Sequence, residues 1–429
     1  MGEVPAKGII TSQVLAELGL PAVSAPHWKQ LRYILTLPWF NRIWIIQEAV
    51  LSPRDPLIIY AGGQWSWKHL LFAGAFFAQN PFPEVFLPTD NHLACARLLL
   101  LLRSSLQNWD LSALLVATFR FQASDVRDKI FALLGLASGP SDPDAWDVVP
   151  DYEVSFADVY RDATYKTIRR TKSLLLLSLS SSASSYEGDE NQPSWVPRYN
   201  AVAYGLEGYS LRLDENGTVT CERACMDASR GIHASILHSE DKNKLTLAGT
   251  RIDTVCWLGQ LGPGDMFGMA GWWYNSYLKW ADRNAGGIGR RKYAIIFFDV
   301  ISRGGFVEPT ESFDEFISYL ALHNLIEDPN LDETRPGGGE SLTRLAAYYS
   351  NKPYRLFMLE NGLVGMGPPD MKRGDHVCVL FGGAAPFVLR PTEDSHYLIG
   401  ECYVNGLMQG EAARASLKDN GGVQWFTLI

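Results

Sequence analysis

Between Pro38 and Pro53 the chain reads Trp39-Phe40-Asn41-Arg42-Ile43-Trp44-Ile45-Ile46-Gln47-Glu48-Ala49-Val50-Leu51-Ser52, with Arg42 and Glu48 as its only charged side chains. A stretch this apolar has to lose most of its surface to neighbours, so the surrounding fold must be built around it. Thr36 can cap a helix, Pro38 is tolerated in a first turn, and Ser52-Pro53 supplies a stop. The pattern therefore predicts a helix over Leu37 to Leu51. On it Phe40, Trp44 and Glu48, spaced four apart, would share one face. A buried strand is the competing reading, because Ile43, Ile45 and Ile46 are β-branched. The distance between the two prolines favours the helix.

The chain of 429 residues has room for two or three domains, each with its own core. Thirteen tryptophans point to large aromatic cores or grooves rather than to disorder. A formal net charge of −9 argues against a nucleic-acid surface. The one basic run, Gly289-Arg290-Arg291-Lys292, reads as a solvated turn. No secretory signal is expected from Met1-Gly2-Glu3-Val4-Pro5. Leu98 to Leu102 lies between Arg97 and Arg103 and is too short to span a bilayer. Of the six cysteines only Cys221 and Cys225 lie close together, so no zinc site is expected. The expectation is a reduced, cytoplasmic protein with no membrane span.

Along the chain, His27 to Leu35 reads as a helix and Leu57-Ile58-Ile59-Tyr60-Ala61 as a buried strand. A helix should then run to about Gln79, with Ser66 as its cap. Helices follow over His92 to Gln107 and Asp110 to Phe121, and another over Phe156 to Thr171. In Ala123-Ser124-Asp125-Val126-Arg127-Asp128-Lys129, Ser124 or Asp125 can cap the next helix and Arg127 can pair with a buried carboxylate. Trp195, between Pro193 and Pro197, should plug a core from an extended segment. Ser180 to Asn191 and Asp332 to Glu340 read as loops. Helices are expected over Trp272 to Arg283, Tyr293 to Ile301, Phe313 to Ile326 and Leu342 to Tyr349.

From Leu211 the texture becomes β. Asn216-Gly217 and Asn361-Gly362 are hairpin turns. Leu245 to Ala248 and Ile252 to Leu258 read as two strands. Closely spaced strands from Arg355 to Val404 imply a small sheet or half-barrel. Alternation puts His376 and Cys378 on one strand face. With Glu401 and Cys402 they are candidates for convergence, a core thiol beside a hydrogen-bonded histidine being the simpler reading. No Gly-x-Ser-x-Gly, His-Glu-x-x-His or dinucleotide fingerprint occurs. The fold class expected is mixed α/β, divided as 1–80, a helical layer at 81–192, and 193–429 with short antiparallel strands.

Trp39-Phe40-x-Arg42-x-Trp44-x-x-Gln47-Glu48 resembles the closing motif of the fungal heterokaryon-incompatibility (HET) domain. The Asp125-Val126-Arg127-Asp128-Lys129 block, Pro193-Ser194-Trp195-Val196-Pro197 and the Gly374-Asp375-x-Val377 region resemble the downstream part of the same family. The earlier HET motifs are missing, and the resemblance implies a chain truncated at its N-terminus. It implies a role in non-self recognition and programmed cell death, through protein partners or self-association. HET domains are in turn similar to TIR domains, some of which cleave NAD. Trp44 and Glu48 have the spacing of the TIR tryptophan and catalytic glutamate. That similarity makes Glu48 the candidate catalytic carboxylate, Trp44 a wall of the binding site, and NAD a possible substrate with no resident cofactor. The plainer reading pairs Glu48 with Arg42 or with a backbone group.

Overall fold

A computed structural model describes residues 12–79 (apart from 18, 23 and 61), 91–104, 109–137, 148–180, 192–199, 209–213, 219–223, 226–259, 296, 300, 354–418 and 422–429. The four helices expected between Trp272 and Tyr349, both loops and the Asn216-Gly217 turn lie essentially outside these residues. The chain divides into two compact units, one comprising 1–163, 199–202 and 211–221, the other 164–198, 203–210 and 222–429. The class is mixed α/β, with mostly antiparallel strands.

In the first unit, α1 (Ser12–Glu17) and α2 (Pro26–Leu35) lead into the aromatic stretch. That stretch is not one helix. A 3-10 turn, Pro38–Asn41, is followed by extended Arg42 (φ −72°, ψ 135°), and α3 starts only at Ile45 and ends at Val50. The interruption has a partner. The Ile43 amide donates to the Gln122 carbonyl (2.8 Å) and the Gln122 amide to the Asn41 carbonyl (2.5 Å), a strand-like bridge that helical geometry at Arg42 would break. Phe40 thus leaves the Trp44–Glu48 face and stacks on Trp67 instead, centroids 5.5 Å apart and planes within 5°. Trp39 closes the cluster edge-on to both rings at 5.2 Å.

Next come β1 (Leu57–Tyr60) and β2 (Gly63–Ser66), joined through Gly62 at φ +79° and paired antiparallel with Ile58 opposite Trp65. Leu57 and Ile59 are 57% and 69% exposed, so β1 is not the buried strand expected. Among the described residues its sheet has these two strands, which leaves one edge of each unpaired. The Ser66 hydroxyl donates to Asp55 (2.5 Å) rather than capping α4 (Trp67–Gln79). Then follow α5 (Asn91–Ser104), α6 (Leu111–Ala117), α7 (Asp128–Leu134) and the start of α8 (Phe156–Thr171). Asp110 caps α6 by accepting from the Ser112 amide at 2.8 Å. β3 (Tyr209–Leu213) and β4 (Val219–Arg223) form a separate two-stranded sheet.

The second unit is built on β5 (Ile236–Leu237) and the long β6 (Leu245–Leu258), then β7 (Arg355–Leu359), β8 (Val364–Gly367), β9 (His376–Leu380), β10 (Phe387–Pro391), β11 (His396–Glu401) and β12 (Tyr403–Val404). α9 (Glu411–Lys418) and β13 (Gln424–Leu428) complete it. Pairing runs β6-β13-β11-β10-β9 and returns from β9 to β6, closing a five-stranded ring. β6 is one strand, not two; it carries a bulge between Arg251 and Asp253, stays paired with β9 through Thr254, and from Val255 pairs with β7. Val377, Val388 and Ile399 point outward into a core with Phe357 and Leu359 of β7 and with Cys402. Trp195 is fully buried as expected, and its indole donates to the Asn243 carbonyl at 2.9 Å.

Candidate functional site

In α3 the buried residues are Ile45, Ile46, Ala49 and Val50, a pattern that turns positions 47 and 48 outward. Glu48 is accordingly exposed, and Trp44, at the helix start, is half-buried. The two remain one turn apart, the Glu48 amide donating to the Trp44 carbonyl at 3.2 Å. Among the described residues Glu48 and Arg42 make no ion pair. A carboxylate that stabilises a developing cation needs enclosure and neighbouring dipoles. Here the Glu48 side chain leaves the core into solvent.

The Asp125–Lys129 block is knit together internally. Arg127 forks onto Asp125, with Nε–Oδ1 at 2.9 Å and Nη2–Oδ2 at 2.7 Å. It also donates to the carbonyls of Tyr152 and Val154 and lies over the Tyr152 ring at 5.2 Å. The Tyr152 hydroxyl donates to Asp128 at 2.6 Å. The Arg127 guanidinium holds the Asp125 carboxyl below its usual range, first through the hydrogen bond and then through charge. Lys129 is buried, its ammonium donating to the carbonyls of Phe119 (2.9 Å) and Phe121. Burial pulls it down to about 8. The block's charged side chains are thus taken up by one another or by Tyr152, Val154, Phe119 and Phe121, which is the signature of a latch fixing the start of α7.

In the second unit the ring of strands gathers a different set. Cross-strand partners share a face. Arg251 pairs with Cys378, Thr254 with His376, Cys378 with Phe387 and His376 with Leu389. Since Val377 and Val388 face the outer core, this face is the inner one. His376 and His396 approach with ring centroids 6.0 Å apart, and Phe426 lies edge-on to His396 at 5.5 Å. The Arg251 guanidinium donates to the Thr254 hydroxyl at 2.7 Å. His376 is held below the ordinary histidine range by burial, then by Arg251, then by His396. His396 is lowered by burial and by Arg251, against an opposing bond to the Thr427 backbone. Burial pushes the Cys378 thiol up. His376 and Cys378 therefore share a face as alternation required, whereas Cys402 belongs to the outer core and does not join them. Arg251 and His396 were not singled out from the sequence. Among the described residues no group of three His, Cys, Asp or Glu could hold a metal ion.

Residues 341–420 match the family model described as the Het-6 beta-barrel domain. The chain is also 24% identical to "Heterokaryon incompatibility protein 6, OR allele" of Neurospora crassa, over 359 aligned residues. The chain is thus similar to a heterokaryon-incompatibility protein. That alignment covers 68% of this chain and 50% of the relative, so the chain spans about half the length of the curated relative it matches. The Het-6 barrel match contains β7 through α9, while β6 and β13, which close the ring, fall outside it. No solved structure matches. No helix among the described residues is long and apolar enough to cross a membrane.

Proposed function

We propose that this HET-family protein acts in fungal non-self recognition as a signalling and interaction module, working by association and not by catalysis. The observation that carries this reading is the β1–β2 ribbon. Leu57-Ile58-Ile59-Tyr60 contains no charge and no proline, the devices by which natural sheets blunt their edges. Its outward side chains are exposed isoleucine and leucine, and among the described residues β1 has no second strand neighbour. Antiparallel pairing of β1 with the same strand of a second copy is self-complementary and closes at two chains. In this reading programmed cell death is the downstream response to the assembly. Static light scattering at micromolar concentration tests it. Mass should rise with concentration in the parent and stay monomeric in Ile59→Lys. A monodisperse monomer for the parent would sink the reading.

Cleavage of NAD through Glu48 is the alternative that the TIR similarity raises. It requires a pocket that excludes water and holds both ends of the dinucleotide. The exposed Glu48 carboxylate supports association over this chemistry. The chain should release no nicotinamide from NAD above background. Release that disappears in Glu48→Gln would reverse the assignment.

A further inference from the structure

Three nitrogen-bearing side chains meet where β6 bends out of the ring. Arg251 is exposed, while His376 and His396 are half-buried. Arg251 is fixed by its bond to Thr254, whose cross-strand partner is His376. His376 in turn faces His396 at 6.0 Å. The Nδ1 atom of His396 is shielded from solvent and has no hydrogen-bond partner. The Asp375 carboxylate, by its charge, favours protonated His376. It is already occupied, by the Arg390 guanidinium at 2.9 and 3.0 Å and by the Lys372 amide at 2.7 Å. Of the other side chains facing the cluster, Cys378 is neutral with its thiol pushed up by burial, and Phe426, Leu389 and Thr254 carry no charge.

We propose that Arg251, His376 and His396 form a binding site for a small tetrahedral oxyanion, phosphate or sulfate, at the rim of the barrel. When protonated, the three groups are donors only, and they crowd like charge that a bound anion would neutralise. The same crowding disfavours a metal ion, since the fixed guanidinium repels it. In the free protein both imidazoles resist protonation. An anion that favours the protonated forms must therefore bind more tightly as pH falls.

Isothermal titration of the full chain with sulfate tests this, because sulfate keeps a constant charge between pH 5.5 and 7.5. One site is expected, bound about tenfold more tightly at pH 5.5 than at 7.5. Arg251→Gln should weaken it by about tenfold or more, and His396→Gln should flatten the pH dependence. Should either variant fold poorly, the parent alone still decides. Sulfate should raise its melting temperature more at pH 5.5 than at 7.5, and chloride at matched ionic strength should not. Sulfate affinity that ignores pH, that survives Arg251→Gln, or that is absent at millimolar concentration would overturn the proposal.

Discussion

Lys129 is the residue whose environment costs most and whose role is easiest to mistake. A depressed lysine at the end of a charged block could pass for a catalytic base. Its ammonium is instead consumed by the carbonyls of Phe119 and Phe121, which would otherwise be buried without donors. The pH consequence has a definite sign. Lys129 titrates at about 8 in the folded chain, whereas an unfolded lysine titrates near about 10.4. Between these values the unfolded state binds more protons, so folding gains stability as pH rises through this window. Thermal melts should show the parent gaining on Lys129→Met between pH 7.5 and 9.5. The substitution should also cost about 1–3 kcal/mol by stranding the two carbonyls. A pH-independent difference would mean that Lys129 is not buried as described. Gly382 makes a second test at this scale. It sits at φ +92°, and a Cβ there would lie 2.8 Å from the Ala234 amide and the Lys172 carbonyl. Gly382→Ala should cost roughly 1–3 kcal/mol or more, read as a lower melting temperature.

At the scale of elements, local signals were legible and closures were not. The helix over Phe156 to Thr171 was read to its ends, because its capping and periodicity are contained in sixteen residues. The strands of β7 to β11 were equally visible, through Asn361-Gly362 and regular spacing. The Leu37–Leu51 helix failed because its interruption is owed to Gln122, some eighty residues on, which no local pattern announces. The sequence pattern reads Leu245 to Ala248 and Ile252 to Leu258 as two strands, with Gly249 between them, where the structure has one. In the fold that glycine allows close approach, a Cβ there lying 2.5 Å from the Val379 carbonyl. The ring itself depends on β13 pairing with β6 across a separation of about 180 residues. For the same reason Arg251 and His396 could not be placed beside His376 before the register was known. The alternation that put His376 and Cys378 together needed only one strand. The histidine pair also gives the barrel its own acid response. Both imidazoles are held below their ordinary range. The folded state therefore loses stability as pH falls below about 6.5, where unfolded histidine protonates first. The melting temperature should drop more steeply between pH 7 and 5 in the parent than in His376→Gln. Equal slopes would separate the histidines from the barrel's acid response.

For the whole molecule, the central proposal is association through the β1 edge, which has no second strand neighbour among the described residues. Mass alone cannot say which surface pairs. Hydrogen exchange of the amides at 57–66, followed by mass spectrometry at low and high protein concentration, reads that edge directly. If β1 pairs with β1 of a second copy, exchange at 57–60 slows as concentration rises, and Ile59→Lys abolishes the slowing. Identical exchange at every concentration, in a parent whose mass nevertheless increases, would place the interface elsewhere and contradict the claim.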